Sequence, residues 1–275
     1  MTLDKPRSAK DVVTGTTKFL MCGHGGAGKT MLSATLPGKT FLYVFDVLAL
    51  ETVKGLPIDY EDFLPDELPM DAQPLAEKSQ DIPTAPGAEP VAYLQWEEHF
   101  QEALKSGFFE KYDNVGFDGF TAFQQLMMDR ILFLNGRYGR WPTEGDYTPV
   151  INTFTNVWRQ VIVKSTEQDF RVFATAHIKQ AKNKMGRVFD QLVVYGELRE
   201  RLPSMFSDIY LCEADVDASN ERKWFVRTAA DADHPYLRSS LHNLDVEEEV
   251  TIPLATLKSG KNLDKFGLGK LIAKQ

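Results

Sequence analysis

The sequence predicts an α/β protein with a mostly parallel central sheet flanked by helices and antiparallel strands toward the C-terminus. Three observations carry this reading. A short apolar run, "KFLMC" (18–22), stops at the glycine cluster "GHGGAGKT" (23–30), and "KTMLSATL" then opens as a helix. Strand-like and helix-like periodicities alternate from there to residue 178. Two further β-patterned runs, "DIYLCEAD" (208–215) and "KWFVRTA" (223–229), follow each other closely enough to form an antiparallel pair.

The elements between these landmarks follow in order. "KTFLYVFD" (39–46), rich in β-branched and aromatic residues, is the second strand and ends in Asp46. Residues 55–90 change character: Pro57, Pro65, Pro69, Pro74, Pro83, Pro86 and Pro90 stand among many acids, and proline denies both helix and central strand. The segment is expected to be a flexible acidic insertion. "VAYLQWEEHFQEALKSGFF" (91–109) puts Leu94, His99, Phe100, Ala103 and Leu104 near helical spacing. "YDNVGFDGF" (112–120) is a strand closed by an acid, and "TAFQQLMMDRILFL" (121–134) is a helix. "NGRYGRWPTEGDYTP" (135–149) reads as a loop, and "VINTFTNVWRQVIVKS" (150–165) as the next helix. "DFRVFATAHI" (169–178) is strongly β-patterned and gives way to "KQAKNKMGR", a basic polar loop. Residues 1–245 are expected to form a single domain, and 246–275 a weakly ordered, glycine-interrupted tail.

Composition narrows the classes of function. With 43% hydrophobic and 25% charged residues, disorder is excluded as the whole answer. A net charge of −8 argues against coating nucleic acid by bulk charge, although screening lets a local basic strip act alone. The two cysteines, Cys22 and Cys212, have no metal spacing and read as buried thiols in a reducing compartment. No stretch reaches the ~18 apolar residues of a membrane span, and the N-terminus lacks a signal-peptide core. A cytoplasmic protein without membrane contact is expected.

The chemistry concentrates in the glycine cluster. Gly23, His24, Gly25, Gly26, Ala27, Gly28, Lys29 and Thr30 satisfy G-x-x-x-x-G-K-[ST], set between a strand and a helix. Such a loop converges backbone N–H groups on phosphate oxygens. Lys29 is expected to reach the β and γ phosphates of ATP, and the Thr30 hydroxyl to ligate Mg²⁺. No N-K-x-D stretch supports guanine. The metal needs a second acid at the end of another parallel strand, and Asp118 fits. Hydrolysis also needs a carboxylate that orients water, for which Asp46 and Glu51 both stand near a strand end. His177 closes its strand at the edge where ligands bind open α/β sheets, placed to sense the γ-phosphate.

In its order of segments, "KFLMCGHGGAGKTMLSATLPGKTFLYVFD", "YDNVGFDGF", "GDYTPVINTFTNVWRQVI" and "VFATAHIKQ", the chain resembles the phage-encoded RecA-like P-loop ATPases of the group that includes the Sak-type single-strand annealing proteins. The resemblance spans roughly Lys18 to Thr228. It implies a Walker A loop at Gly23–Thr30, a Walker B acid at Asp118, and a polar sensor at His177 preceding a DNA-binding loop. Lys179, Lys182, Lys184 and Arg187 would then face DNA. Arg137, Tyr138, Arg140 and Trp141 would lie near the first DNA loop, with charges following the backbone and aromatic faces stacking bases. It further implies a homo-oligomer, filament or ring, in which Arg222, Lys223 or Arg238 offers a cation to a neighbour's γ-phosphate. Two positions depart from the family: Gly119 replaces the Ser or Thr after the Walker B acid, and Leu48 replaces the acid two residues beyond Asp46.

The function these features predict is ATP binding and hydrolysis with Mg²⁺, acting on single-stranded DNA in phage-type recombination, annealing or replication. The competing reading is a nucleotide-switched loader that docks a single-strand-binding protein or replication partner through the proline-rich insertion and the tail. A small-molecule kinase ranks behind both, since no arginine-rich lid segment is present.

Overall fold

The computed structural model describes residues 16–65, 89–182, 185–217 and 219–275. Its centre is a nine-stranded sheet. In chain order the strands are β1 (Lys18–Gly23), β2 (Thr40–Val44), β3 (Asp59–Asp62), β4 (Asn114–Asp118), β5 (Arg171–Lys182), β6 (Val188–Leu192), β7 (Asp208–Val216), β8 (Arg222–Arg227) and β9 (Glu247–Glu249). They lie in the order β3-β2-β4-β5-β1-β7-β8-β9, with β6 paired to β5 off this path. From β3 through β7 every neighbour is parallel; β8 and β9 add antiparallel, as the sequence predicts. β5 separates the glycine-cluster strand β1 from β4, the RecA-like order.

Strict alternation splits the strand side chains between two apolar layers. Leu20, Tyr43, Phe117, Val172 and Ala174 face one side, covered by α2 (Ala92–Ser106), α3 (Phe120–Leu134) and α4 (Glu144–Glu167). This layer is densely aromatic: Phe45 stacks on Phe123 with ring centres 4.4 Å apart, and Phe120 meets Trp158 edge-on at 5.0 Å. In α2 the buried face is Ala92, Tyr93, Trp96, Phe100 and Ala103, so Trp96 supplies bulk that the expected Leu94–Leu104 pattern omitted.

Phe19, Met21, Leu42, Val44, Phe173 and Tyr210 face the other side. Its cover is thinner. After the glycine cluster the chain makes a 3₁₀ turn at Thr30–Thr35 rather than the α-helix expected, followed after β2 by the short α1 (Val47–Val53). The remaining cover comes from residues expected as a tail. β9 pairs with β8, α6 (Leu254–Ser259) follows, and α7 (Gly267–Ile272) buries Leu268 and Leu271 completely. The Leu268 N–H donates to Thr35 Oγ1 at 2.9 Å, which ties α7 to the turn behind the glycine cluster.

Three further expectations change. Residues 59–62, inside the expected insertion, form edge strand β3 alongside β2, while 66–88 lie outside the described residues. α4 begins at Glu144 rather than 150, because Thr143 and Asp146 form a capping box. The basic loop expected at 179–187 is shorter: β5 continues through Lys182 and the chain returns as β6 from Val188, with Lys179 opposite Gln191 and Lys182 opposite Val188. The short α5 (Leu198–Arg201) then leads toward β7. Both cysteines are free and buried. Among the described residues, no helix is long and apolar enough to cross a membrane.

Candidate phosphate-binding site

Parallel register brings the carboxyl ends of four strands to one edge. Gly23 of β1 pairs with His177 of β5, Met21 with Thr175, and Val44 of β2 with Asp118 of β4. The cleft at this edge is lined by Gly25, Gly26, Gly28, Lys29 and Thr30 from one side and by Asp46, Leu48, Asp118, Thr175 and His177 from the other. The sequence-predicted loop, acid and strand-end histidine therefore share one concavity.

The loop's backbone requires glycine where it turns. Gly26 and Gly28 sit at φ +75° and +82°, the left-handed region that side chains disfavour. At Gly28 space is also closed, since a Cβ would lie 2.8 Å from Trp224 Cδ1. Lys29 is buried and folds over the loop, its ammonium donating to the carbonyls of Gly23 (3.0 Å) and His24 (2.8 Å). Burial lowers its pKa, while the charges of Asp118 and Asp46 act in the opposite sense. His24 and Gly25 are exposed and Ala27 is buried beneath the loop.

Thr30 and Asp118 meet directly. The Thr30 hydroxyl donates to Asp118 Oδ2 at 2.8 Å, bridging the loop to β4. On the other oxygen, Thr175 of β5 donates to Oδ1 at 2.5 Å. Burial raises the pKa of Asp118, and the two hydroxyl bonds and the Lys29 charge oppose that rise. Thr175 was missed by sequence reasoning. The signal was present: a hydroxyl amid the buried apolar run "VFATA", on the strand beside the glycine cluster, is a polar group that needs a buried partner.

Thr175 also explains the glycine after the acid. Gly119 caps α3 at φ +99°, and its N–H donates to the Thr175 hydroxyl at 2.8 Å. A Cβ there would stand 3.4 Å from Asp46 Cβ. The left-handed backbone at 119 would strain a side chain there, and the hydroxyl at this edge comes from the neighbouring strand.

Of the two carboxylates proposed to orient water, the structure brings one into the cleft. Asp46 Oδ1 accepts from the Leu48 N–H at 2.9 Å, capping α1, and Oδ2 lies 3.7 Å from His177 Nε2. Glu51 stands exposed on α1, outside the cleft. The α1 side chains that line the cleft are Leu48, Ala49 and Thr52. Leu48 is 78% exposed at its rim. Burial and the Lys29 charge lower the His177 pKa against the pull of Asp46, so the ring is neutral at pH 7.

The residues expected to face DNA divide. Arg137 bonds Asp146, which also takes bonds from Thr143 and Asn135. Burial opposes ionisation of Asp146, yet these bonds overcome it and hold its pKa at about 2. Arg137 thus also braces the cap of α4. Tyr138 packs edge-on to Phe133 at 6.3 Å, Arg140 is exposed, and Trp141 is 83% exposed. Lys179 and Lys182 are exposed on β5, and Arg187 pairs with Asp233 at 2.8 Å. Lys184 lies outside the described residues.

A glycine-rich loop on β1, the Thr30–Asp118 bridge and a sheet with β5 between β1 and β4 define a P-loop protein of RecA-like α/β architecture. Comparison with known proteins adds no family: no protein-family model matches the chain, and no curated protein matches its sequence. Among solved structures, the flagellar accessory protein FlaH from Methanocaldococcus jannaschii is similar with a TM-score of 0.41 and 9% identity, over 87% of this chain and 86% of that one. The fold assignment rests on strand order and register.

Proposed function

We propose that the protein binds ATP with Mg²⁺ and hydrolyses it, and that the nucleotide governs contact with single-stranded DNA. The observation that carries nucleotide binding is the 2.8 Å bond from Thr30 to Asp118 at the mouth of the loop that Lys29 spans. A hydroxyl beside a carboxylate is a hard-oxygen set suited to Mg²⁺, which takes few protein ligands and completes its shell with phosphate and water. Thr30 would ligate the ion and Asp118 would hold its water; the ion supplies neutralisation of charge on the phosphates. Lys29 exchanges its carbonyl partners for phosphate oxygens, Asp46 orients the attacking water, and neutral His177 donates or accepts at the same edge.

Single-stranded DNA enters the proposal through β5. One continuous strand runs from Thr175 and His177 in the cleft to Lys179 and Lys182 on the exposed hairpin. A change at the γ-phosphate thus has a short rigid path to two cations, in line with the family resemblance to phage-type annealing ATPases. The same resemblance supports assembly into a homo-oligomer.

The deciding measurement is calorimetric titration of ATP and ADP with Mg²⁺ into the full chain and Lys29→Ala, followed by phosphate release with and without an oligonucleotide. Binding lost in Lys29→Ala, with hydrolysis stimulated by DNA, is expected. A chain that binds no nucleotide refutes the first part. Oligonucleotide binding indifferent to salt, or unchanged in Lys179→Ala/Lys182→Ala, refutes the second.

A further inference from the structure

Two side chains of β8 reach the phosphate loop from outside the cleft. Arg222 Nη2 donates to the Gly26 carbonyl at 2.9 Å, and its guanidinium carbon lies 5.4 Å from the centre of the Trp224 ring. The Trp224 ring lies in turn against Gly28, where a Cβ would come within 2.8 Å of Cδ1 and 3.2 Å of Nε1. Neither residue lines the cleft. The strand beneath them is fixed on both sides: Trp224 pairs with Ala214 of β7, its N–H donates to Thr251 Oγ1 at 3.0 Å, and its carbonyl accepts from Val250 at 2.8 Å.

Peptide geometry gives this contact a consequence. A trans peptide points its C=O and N–H in opposite directions, so the Gly26 carbonyl held outward by Arg222 turns the Ala27 N–H inward. That N–H closes the loop's own turn on the His24 carbonyl at 3.3 Å, so Arg222 holds the shape of the loop from behind. A phosphate loop works through amides aimed inward, and a guanidinium is suited to hold one from behind because it stacks by its face and donates by its edge. The other basic residues near these strands are committed elsewhere: Lys223 faces Asp217 at 3.4 Å, and Arg238 bonds the carbonyls of Pro203 and Phe206.

We propose that Arg222 and Trp224 position the phosphate loop of their own chain, Arg222 by holding the Gly26 peptide with its amide inward and Trp224 by backing Gly28. The proposal rests on the nucleotide reading above, and it replaces the expectation that Arg222 serves a neighbouring subunit. Arg222 is a positioning residue, 196 positions from the carbonyl it holds.

The test uses the full chain, with ATP and Mg²⁺ titrated by calorimetry and by tryptophan emission. Arg222→Ala is expected to bind ATP about tenfold more weakly, equivalent to about 1.4 kcal/mol, with an unchanged melting temperature. The nucleotide-induced emission change should vanish in Trp224→Phe and persist in Trp141→Phe. Mixing Arg222→Ala with Lys29→Ala separates the two geometries, because the Lys29 variant brings an intact Arg222 but no competent loop. Affinity that stays weak in the mixture supports action within one chain; affinity restored by mixing overturns it, as does unchanged affinity in Arg222→Ala alone. Failure of the unaltered chain to bind nucleotide would instead remove the nucleotide reading itself.

Discussion

Thr175→Val removes one hydroxyl and leaves the shape of the side chain nearly intact. That hydroxyl donates to Asp118 Oδ1 at 2.5 Å and accepts from the Gly119 N–H at 2.8 Å, and Asp118 and Thr175 are both buried. A hydrogen bond to a charged group contributes about 1.5–3 kcal/mol, and an unsatisfied buried donor costs about 1–3 kcal/mol. Relaxation of the Gly119 amide offsets part of the sum, so a loss of about 3 kcal/mol is expected. The sign of its pH dependence follows from Asp118, whose folded pKa is raised by burial. As pH rises above the unfolded carboxylate value, the unfolded chain releases its proton first, and stability falls until pH passes the folded pKa. Removing a bond donated to the carboxylate raises that folded pKa further. The variant should therefore lose less at pH 4, where the pH-independent cost at the Gly119 amide remains, and most at pH 7 to 8. Urea denaturation of both proteins across that range is the assay. A loss below about 0.5 kcal/mol at pH 7, or a loss equal at pH 4 and pH 7, would refute the bridge described here.

Three further predictions follow from other parts of the molecule. His234 sits between Asp231 (2.9 Å) and Asp190 (3.0 Å), and although burial lowers its pKa, bonds to the two carboxylates raise it overall. Its stabilisation is present below the unfolded imidazole value and is lost as pH rises through the folded one, so thermal melts of the parent should lose an advantage over His234→Gln between pH 6 and pH 8. Leu268→Ala/Leu271→Ala, which empties the fully buried face of α7, should cost about 4 kcal/mol or more and lower ATP affinity with it, both read from melts and calorimetry on one preparation. Asp46→Asn keeps a good helix cap, so stability should stay within about 0.5 kcal/mol while phosphate release falls roughly a hundredfold or more and ATP binding survives.

Most of the strand order's ingredients were legible, because buried parallel strands announce themselves as short apolar runs: "KFLMC", "TFLYV" and "RVFATA" all lie in the sheet. What failed was the reading of boundaries where polar residues continue an element. Lys179 and Lys182 look like loop residues, yet an outer stretch of β5 with both faces near solvent needs no apolar pattern once β6 supplies its hydrogen bonds. The stretch 135–149, which ends in Pro149, was expected to be a loop. In α4 Pro149 costs only the bond to the Gly145 carbonyl one turn earlier, and Gly145 is exposed, so water can replace the proline N–H. The C-terminal glycines in "GLGK" read as disorder, whereas they let α7 lie close against Thr35, within 2.4 Å of where a Cβ at 267 would stand. In the cleft, Lys29 and Thr30 were read from the spacing of the glycine motif and Asp118 from its place at the end of a strand. Thr175 and Trp224 were not, and Arg222 was expected to reach a neighbouring subunit, since the partners of Thr175 and Arg222 lie 56 to 196 positions away and no local pattern encodes those contacts.

Gly119 and Asp46 stand side by side at the cleft, where the left-handed backbone at 119 (φ +99°) favours glycine and a Cβ would come into ordinary contact with Asp46 Cβ at 3.4 Å. The hydroxyl at this edge belongs to Thr175, which binds both the Asp118 carboxylate and the Gly119 amide. Asp46 caps α1 with one oxygen and holds the other 3.7 Å from His177 Nε2, while Leu48 stands at the rim as an apolar side chain. Asp46, Asp118, Thr175 and His177 thus meet at one edge of three adjacent strands, with β5 continuing from that cluster into the exposed hairpin.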